Sequence, residues 1–179
     1  MQRMVGKQAP NFEMYAVKPK EEIEKISLED YKHDDRWVIL FFYPMDFSPI
    51  CATEMAALTE RYDIFEELDT EVIAISTDTI SAHQVWIDTP RTEGGIGKVA
   101  FALAADTNHS VCKAYGVLIE EAGIPLRGVF IIHPSGEVQY QTIFHQNVGR
   151  DIDEILRVLA ALQTSKKCPA NWKEGEETY

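Results

Sequence analysis

The chain has 179 residues, of which 45% are hydrophobic and 26% are charged, which is ordinary for one globular domain with a sizeable core. The formal net charge of −12 argues against nucleic acids and anionic membrane surfaces as partners, because both are bound by clusters of Lys and Arg. No apolar run approaches the roughly 18 residues of a membrane-spanning helix, and the N-terminal residues lack the apolar stretch of a signal peptide. We therefore expect a cytoplasmic protein.

The N-terminal part of the chain is mostly polar until one long apolar run begins. The patterns predict an edge strand over residues 11–17, a polar loop over residues 19–25 and a turn or short helix over residues 26–31. The apolar run covers residues 37–43 and is bounded by Pro44. A run of this length and boundary predicts a buried central strand.

A helix is predicted directly after this strand, over residues 52–68. Four apolar residues recur there at helical spacing, namely Met55, Leu58, Tyr62 and Phe65. The intervening loop delivers Cys51 to the start of the helix. Open α/β folds place their functional groups at such a strand–loop–helix junction.

Strands and helices continue to alternate in the second half of the chain. A tight turn at residues 134–136 predicts a hairpin with a return strand over residues 137–144. The other predicted elements are strands over residues 71–77, 101–103 and 128–133, and helices over residues 81–88 and 107–115.

The last predicted helix begins at Asp151, which can cap it, and Glu154 three residues later completes a capping-box pattern. After Gln163 the periodicity ends, so we divide the chain into a domain over residues 1–163 and a polar tail over residues 164–179. The order of elements predicts an α/β, thioredoxin-like fold: a central mixed β-sheet with helices on both faces.

Three cysteines, Cys51, Cys112 and Cys168, are the first candidates for chemistry. They lie far apart and form no C-x-x-C pair, which argues against zinc ribbons and dithiol redox motifs. The five histidines lack H-x3-5-H spacing, so we predict no metal site and no other cofactor. Cys112 falls in an apolar rhythm and is interpreted as a core residue. Cys168 sits in the polar tail, where no core is expected to bury it. It is either an incidental exposed thiol or a thiol that attacks an oxidised sulfur.

Cys51 has features that favour a reactive thiol over a buried small hydrophobic residue, which is the commoner role of a lone cysteine. It lies at a helix N-terminus, where free N–H groups and the helix dipole favour the thiolate. The hydroxyl of Ser48 is three residues away, and Pro44 and Pro49 stiffen the loop between strand and helix. Together these residues indicate a preorganised site.

Three charged residues are weaker candidates. Arg127 immediately precedes the strand at residues 128–133 and could interact with Cys51, although a surface arginine is the commoner outcome of this pattern. Arg150 precedes a helix, which is not a favourable place for a cation, and so suggests a tertiary role. Glu54 could either favour the first helical turn or hold an arginine.

Several segments together resemble the peroxiredoxin family. Residues 44–51 resemble its signature P-x-x-x-[ST]-x-x-C, and Cys168-Pro-Ala-Asn-Trp172 resembles the C-P-A-x-W segment of typical two-cysteine members. Further matching segments, in chain order, are residues 9–12 at the N-terminal entry, 94–97 at the G-G-L-G loop, Arg127 before the V-F-I-I strand, and 148–154 at the V-G-R-x-x-x-E helix start. The resemblance covers nearly the whole chain and is highly specific in this order.

The resemblance implies a thiol-dependent peroxidase acting on hydrogen peroxide and organic hydroperoxides. Cys51 is implied as the peroxidatic residue, whose thiolate attacks a peroxide oxygen and becomes a sulfenic acid. Ser48, Arg127 and the backbone N–H of Cys51 are implied to stabilise the charge on the leaving oxygen. Pro44 is implied to shield the site from water.

The resemblance also implies supporting residues and partners. Glu54 and Arg150 would hold Arg127 in position. Cys168 of a second subunit would resolve the Cys51 sulfenic acid as a disulfide, which requires local unwinding around Cys51, and thioredoxin or a similar reductant would reopen it. A homodimer is implied, and a decameric ring of dimers stays open.

The chain departs from the family pattern at several points. Ser48 stands where threonine is commoner, Ala52 replaces a frequent proline, and the Pro-Ile pair at residues 49–50 could alter contacts within a ring. The sequence stops at Tyr179, before the further helix of many eukaryotic relatives, so we expect resistance to overoxidation despite the Gly-Gly-Ile-Gly loop. Two other functions stay open: a thiol–disulfide oxidoreductase, and a redox-sensing or chaperone-like ring.

Overall fold

A central sheet of seven strands organises residues 3–179, the part of the chain that the computed structural model describes. In chain order the strands are β1 (Glu13–Val17), β2 (Ile23–Ser27), β3 (Trp37–Phe42), β4 (Thr70–Ser76), β5 (Ala102–Ala105), β6 (Leu118–Ile119), β7 (Ile124–Pro125), β8 (Arg127–Ile132) and β9 (Val138–Phe144). The sheet order is β2-β1-β5-β4-β3-β8-β9, and β6 pairs separately with β7. The sheet is mixed, because β3, β4 and β5 are parallel neighbours and the other pairs are antiparallel.

Helices cover both faces of this sheet. They are α1 (Leu28–His33), α2 (Pro49–Glu60), α3 (Tyr62–Glu67), α4 (Ile80–Asp88), α5 (Ser110–Ala114) and α6 (Ile152–Gln163). Side chains alternate along β3, so Ile39 and Phe41 enter one core cluster with α2, α3, α4 and α6, whereas Val38 and Leu40 enter another with α1 and α5. Within residues 3–179, no helix combines the length and apolar character needed to cross a membrane.

The N-terminal predictions were wrong in two places. Residues 19–25 are not a loop: a 3-10 turn at Pro19–Glu21 leads into β2, which pairs with β1. β2 is the edge strand, and its residues are largely exposed, so its sequence needs no apolar alternation. β1 is consequently an interior strand, since it also pairs with β5.

The long helix predicted over residues 52–68 is two helices. α2 begins earlier, at Pro49, whose fixed backbone angle suits a first helical position. It ends at Glu60, because the backbone leaves the helical conformation at Arg61 (φ −113°, ψ 4°), and α3 begins at Tyr62. After this break, α3 packs against β4.

The shorter elements also differ from their predicted bounds. α5 covers only Ser110–Ala114, because His109 adopts a left-handed conformation (φ 63°) and the Asp106 carboxylate accepts the N–H groups of Val111 and Cys112 instead. The small β6–β7 hairpin was not predicted. At α6 the Asp151 cap is confirmed by its bond from the Glu154 N–H, but the Glu154 side chain pairs with Arg157 rather than completing a capping box.

The tail after α6 is packed against the domain. Trp172 is buried, and its carbonyl accepts a hydrogen bond from Arg157 of α6. Backbone bonds join Lys167 and Tyr179 in both directions. Cys168 is therefore not on a free polar tail as predicted: it is half-buried, and its sulfur lies near Thr164 Oγ1. The division of the chain between residues 163 and 164 stays a prediction.

Candidate active site

Cys51 is the third residue of α2 and is completely buried as a free thiol. Ser48 is the N-cap residue, in an extended conformation, and its side chain makes no capping hydrogen bond. The first N–H groups of a helix have no partner within it, and Cys51 lies in this first turn of α2. Pro44 is also buried, shortly after the end of β3. The strand–loop–helix junction thus places Pro44, Ser48 and Cys51 on one short segment.

Arg127, the first residue of β8, reaches the sulfur from the neighbouring strand. Its Nη1 donates to Cys51 Sγ at 3.3 Å, and its Nε donates to the carbonyl of Gln146 at 2.9 Å. The side chain is 2% exposed, so the charge acts where little water screens it. A guanidinium at this distance stabilises negative charge on or beside the sulfur.

Glu54 joins Arg127 to a second arginine. Its Oε2 accepts hydrogen bonds from Arg127 Nη1 at 2.6 Å and from Arg150 Nη2 at 2.9 Å. Its Oε1 accepts from Arg150 Nε at 2.8 Å and from the Arg150 backbone N–H at 2.9 Å. Because Glu54 lies one helical turn after Cys51, α2 holds the thiol and the carboxylate on the same side. Both oxygens of this buried carboxylate are therefore satisfied.

Arg150 is fixed by main-chain groups as well as by Glu54. Its Nη1 donates to the carbonyls of Phe42 at 2.7 Å and Gly128 at 2.9 Å, and its guanidinium carbon lies 3.3 Å from the centre of the Phe41 ring. Burial lowers the pKa of Arg150, while Glu54 acts in the opposite direction. These contacts hold the Arg150 guanidinium in one position, against which Glu54 is fixed.

The charges of the cluster do not balance without the thiol. Arg127 and Arg150 contribute two positive charges and Glu54 one negative charge, all on side chains that are at most 2% exposed. One buried positive charge is left over, and such a charge is costly unless it is paired. A negative charge on the neighbouring sulfur of Cys51 would balance it.

The structure brings together Cys51, Glu54, Arg127 and Arg150 of the sequence-predicted residues, with Pro44 and Ser48 on the adjoining loop. It does not pair Cys51 with Cys168, since both are free thiols. Among residues 3–179, no group of three or more His, Cys, Asp or Glu side chains could hold a metal ion.

Sequence reasoning missed the main-chain supports of the site. The carbonyls of Phe42, Gly128 and Gln146 orient the two arginines, and a carbonyl leaves no signal in the side-chain pattern. Gly128 had a detectable signal, as a glycine inside an apolar strand marks a close approach. A Cβ at this position would lie 2.7 Å from Val117 Cγ1.

Comparisons with known proteins agree with one another. The sequence model of the AhpC/TSA family matches residues 5–141. A putative peroxiredoxin of Bacillus subtilis is 61% identical over 177 residues, covering 99% of this chain and 98% of that protein. A putative peroxiredoxin from a rubredoxin operon of Clostridium pasteurianum is 44% identical, with 99% of each chain covered.

Solved structures give the same result. The reduced 2-Cys peroxiredoxin of Plasmodium vivax superposes with a TM-score of 0.95 at 34% identity, covering 99% of this chain and 93% of that one. The AhpC of Enterococcus faecalis superposes with a TM-score of 0.86 at 34% identity, covering 94% and 100%. These similarities confirm the predicted thioredoxin-like α/β fold and the resemblance drawn from the sequence. The chain belongs to the AhpC/TSA family and is a peroxiredoxin.

Proposed function

We propose that this thiol-dependent peroxidase reduces hydrogen peroxide and organic hydroperoxides at Cys51. The observation that carries the proposal is the buried cluster in which Arg127 Nη1 lies 3.3 Å from Cys51 Sγ and one positive charge lacks a partner. A Cys51 thiolate would balance that charge, and the thiolate is the nucleophilic form of cysteine.

The chemical step follows from this geometry. The Cys51 thiolate attacks one peroxide oxygen, so an S–O bond forms while the O–O bond breaks. The leaving oxygen carries the electron pair away, takes up a proton and departs as water or an alcohol, and Cys51 is left as a sulfenic acid. Arg127, the Ser48 hydroxyl and the free N–H of Cys51 are proposed to stabilise the charge on the leaving oxygen.

The remaining residues of the cluster support this step. Glu54 and Arg150 are proposed to hold Arg127, since Glu54 bonds both arginines and Arg150 is anchored to two main-chain carbonyls. Buried Pro44 is proposed to exclude water, because its ring adds apolar surface beside the site and carries no N–H.

The second half of the cycle needs a second subunit. Cys168 of the partner chain is proposed to attack the sulfenic acid, so that an S–S bond forms and water leaves, and a thioredoxin-like dithiol then reduces the disulfide. A location in the cytoplasm is proposed as well, since its reducing pool would maintain that dithiol.

A homodimer has support from the edge of the sheet. β9 pairs only with β8 among the described strands, although Gly6 and Lys7 bond the backbone of Val138 at its first residue. The outer edge over residues 139–144 can accept the same strand of a second copy in antiparallel register. A ring of such dimers is supported by a second surface, where Met45, Phe47 and Val85 are exposed apolar side chains. The Phe47 ring lies 6.1 Å from the ring of Trp86, the residue that follows Val85.

Peroxide turnover with thioredoxin, thioredoxin reductase and NADPH tests the proposal. Cys51→Ser should abolish turnover, Cys168→Ser should react with one equivalent of peroxide and then stall, and Cys112→Ser, the matched control, should behave as wild type. Normal turnover by Cys168→Ser would refute the two-cysteine cycle, and activity in Cys51→Ser would refute the role of Cys51.

A further inference from the structure

A second buried polar cluster lies beside the segment that leads from β3 to Cys51. It consists of Tyr43, Asp46 and His83, and the His83 ring is fully buried on α4. The reaction proposed above uses none of these three side chains. Buried polar groups are kept only where their hydrogen bonds serve the fold or a site.

Asp46 is the centre of this cluster. Its Oδ1 accepts a hydrogen bond from the Tyr43 hydroxyl at 2.8 Å, and its Oδ2 lies 2.8 Å from His83 Nδ1. Its backbone N–H donates to Asp78 Oδ2 at 2.9 Å, and the same oxygen accepts from Ser76 Oγ. Asp46 is thus tied to the ends of β3 and β4 and to α4 at once.

The hydrogen-bond pattern defines which nitrogen of His83 carries the proton. A carboxylate accepts, so Nδ1 donates to Asp46, as the Tyr43 hydroxyl does. Burial raises the pKa of Tyr43 well above its usual value, which keeps the hydroxyl a donor. His83 Nε2 is buried and has no hydrogen-bond partner among residues 3–179. The Tyr43 hydroxyl lies 3.4 Å from the same Nδ1, so the shorter bond to Asp46 is the main polar contact that orients the ring.

The segment after Asp46 needs such a restraint. Phe47 adopts a left-handed backbone conformation (φ 58°), which is unfavourable for a residue with a side chain. It is followed directly by Ser48 and the start of α2. A segment under strain relaxes unless its surroundings hold it, and relaxation here would move Ser48 and the first turn of α2 relative to Arg127.

We infer that His83 is a positioning residue for the peroxidase reaction, acting through Asp46 on the segment that carries Pro44, Ser48 and Cys51. His83 touches no reacting atom. It holds the Asp46 carboxylate, which fixes the strained turn at Phe47 and thereby the distance between Cys51 and Arg127. The inference rests on the proposed peroxidase function at Cys51.

The test compares three replacements of His83 in the full chain. Asn can place an N–H close to the position of Nδ1, whereas Gln reaches the position of Nε2 and Phe keeps the ring without a donor. The rate constant for Cys51 oxidation by hydrogen peroxide is measured in a single turnover. We expect His83→Phe and His83→Gln to be about tenfold slower than wild type, and His83→Asn to stay within about threefold.

Tyr115→Phe is the matched control, because it removes the hydrogen bond of another buried side chain, to the partly buried carbonyl of Pro10, and Tyr115 lies in the core cluster on the opposite face of the sheet. It should lower the denaturation midpoint without changing the rate constant. Should His83→Phe fail to fold, the difference between His83→Asn and His83→Gln decides the question.

Two results would overturn the inference. One is a wild-type rate constant in His83→Phe or, where that variant does not fold, equal rate constants in His83→Asn and His83→Gln. The other is an equal loss of rate in Tyr115→Phe, which would show a general effect of stability. The proposed function fails separately, if wild-type Cys51 is not oxidised by peroxide at all.

Discussion

Arg127 Nη1 donates to Glu54 Oε2 at 2.6 Å and to Cys51 Sγ at 3.3 Å, so one nitrogen joins the carboxylate to the thiol. Nη1 carries two protons and can serve both acceptors at once. Glu54 therefore orients the guanidinium without withdrawing it from the sulfur. The strength of this arrangement depends on Glu54 keeping its charge, because two arginines converge on it.

Replacing Glu54 with Gln should destabilise the protein by about 3 kcal/mol, since two buried cations would lose their only carboxylate partner in the cluster. Urea denaturation measures the free energy of unfolding. Glu154→Gln is the control, as that half-exposed carboxylate pairs with Arg157 and its loss should cost less than about 1 kcal/mol. Equal effects of the two substitutions on the free energy of unfolding would contradict the proposed contribution of Glu54 to stability.

Replacing Arg127 with Lys should slow the reaction of Cys51 with peroxide about 100-fold. Lysine keeps the charge but cannot bond the Gln146 carbonyl, Glu54 and the sulfur together, as the arginine does. Stopped-flow kinetics under single-turnover conditions measure the rate. Arg36→Lys, at the partly buried pair with Glu71, is the control and should leave the rate unchanged. A rate for Arg127→Lys above half that of wild type would show that charge alone suffices.

Replacing Trp172 with Ala should expose Cys168. The indole is 3% exposed and anchors the tail, so its loss should raise the rate at which a water-soluble maleimide modifies Cys168 by about tenfold. The measurement uses a Cys51→Ser background. Cys112 serves as an internal control, because it is fully buried and burial raises the pKa of its thiol. Unchanged labelling would mean that Trp172 does not hold the tail.

Replacing Glu71 with Gln should change how stability depends on pH. Burial raises the pKa of Glu71 above 4.5, although Arg36 acts in the opposite direction. A raised folded-state pKa means that the folded protein binds this proton more tightly than the unfolded chain. The associated stability is present below pH 4.5 and is lost as pH rises through the raised pKa. Glu71→Gln removes this loss, so the difference in free energy of unfolding between the variant and wild type should shift in favour of the variant as pH rises above 4.5.

Glu154→Gln should change the pH dependence of stability in the opposite direction, measured by the same urea denaturation at several pH values. The hydrogen bond from Arg157 lowers the pKa of Glu154, so its contribution to stability is present above pH 4.5 and is lost as pH falls. The free energy of unfolding of Glu154→Gln should therefore fall relative to that of wild type as pH rises. Parallel trends in Glu71→Gln and Glu154→Gln would contradict the assigned environments.

The elements that the sequence predicted well are those whose burial leaves a pattern. β3, β4 and β8 are continuous apolar runs, and α6 has both a cap at Asp151 and a regular apolar face. β2 was missed because an exposed edge strand needs no apolar face. The break at Arg61 was missed because the apolar spacing continues across it, from α2 into α3.

The sequence predicted which residues form the site but not how they contact one another. Cys51 and its loop have local signals, whereas the contacts of Glu54 join residues 73 and 96 positions apart, which only the folded sheet brings together. Family resemblance suggested the two arginines, and the main-chain carbonyls that orient them had no signal. For Cys168, the polar sequence predicts an exposed thiol, but the side chain is half-buried, with its sulfur near the Thr164 hydroxyl and the Ala161 carbonyl at the end of α6.

The backbone pairing of Lys167 with Tyr179 closes the tail into a loop. This pair of bonds is the neck of the loop, and Cys168 is the first residue inside it. In the proposed cycle, we expect Cys168 to reach a partner's sulfenic acid only after this neck opens. The lifetime of the sulfenic acid would then be set by how often the tail opens rather than by the reactivity of the two sulfurs. This restraint works against the resistance to overoxidation expected from the sequence, because a sulfenic acid that persists can react with a second peroxide and become a sulfinic acid. The stability of one pair of backbone hydrogen bonds would thus set how often the sulfenic acid is resolved by Cys168 and how often it is oxidised further.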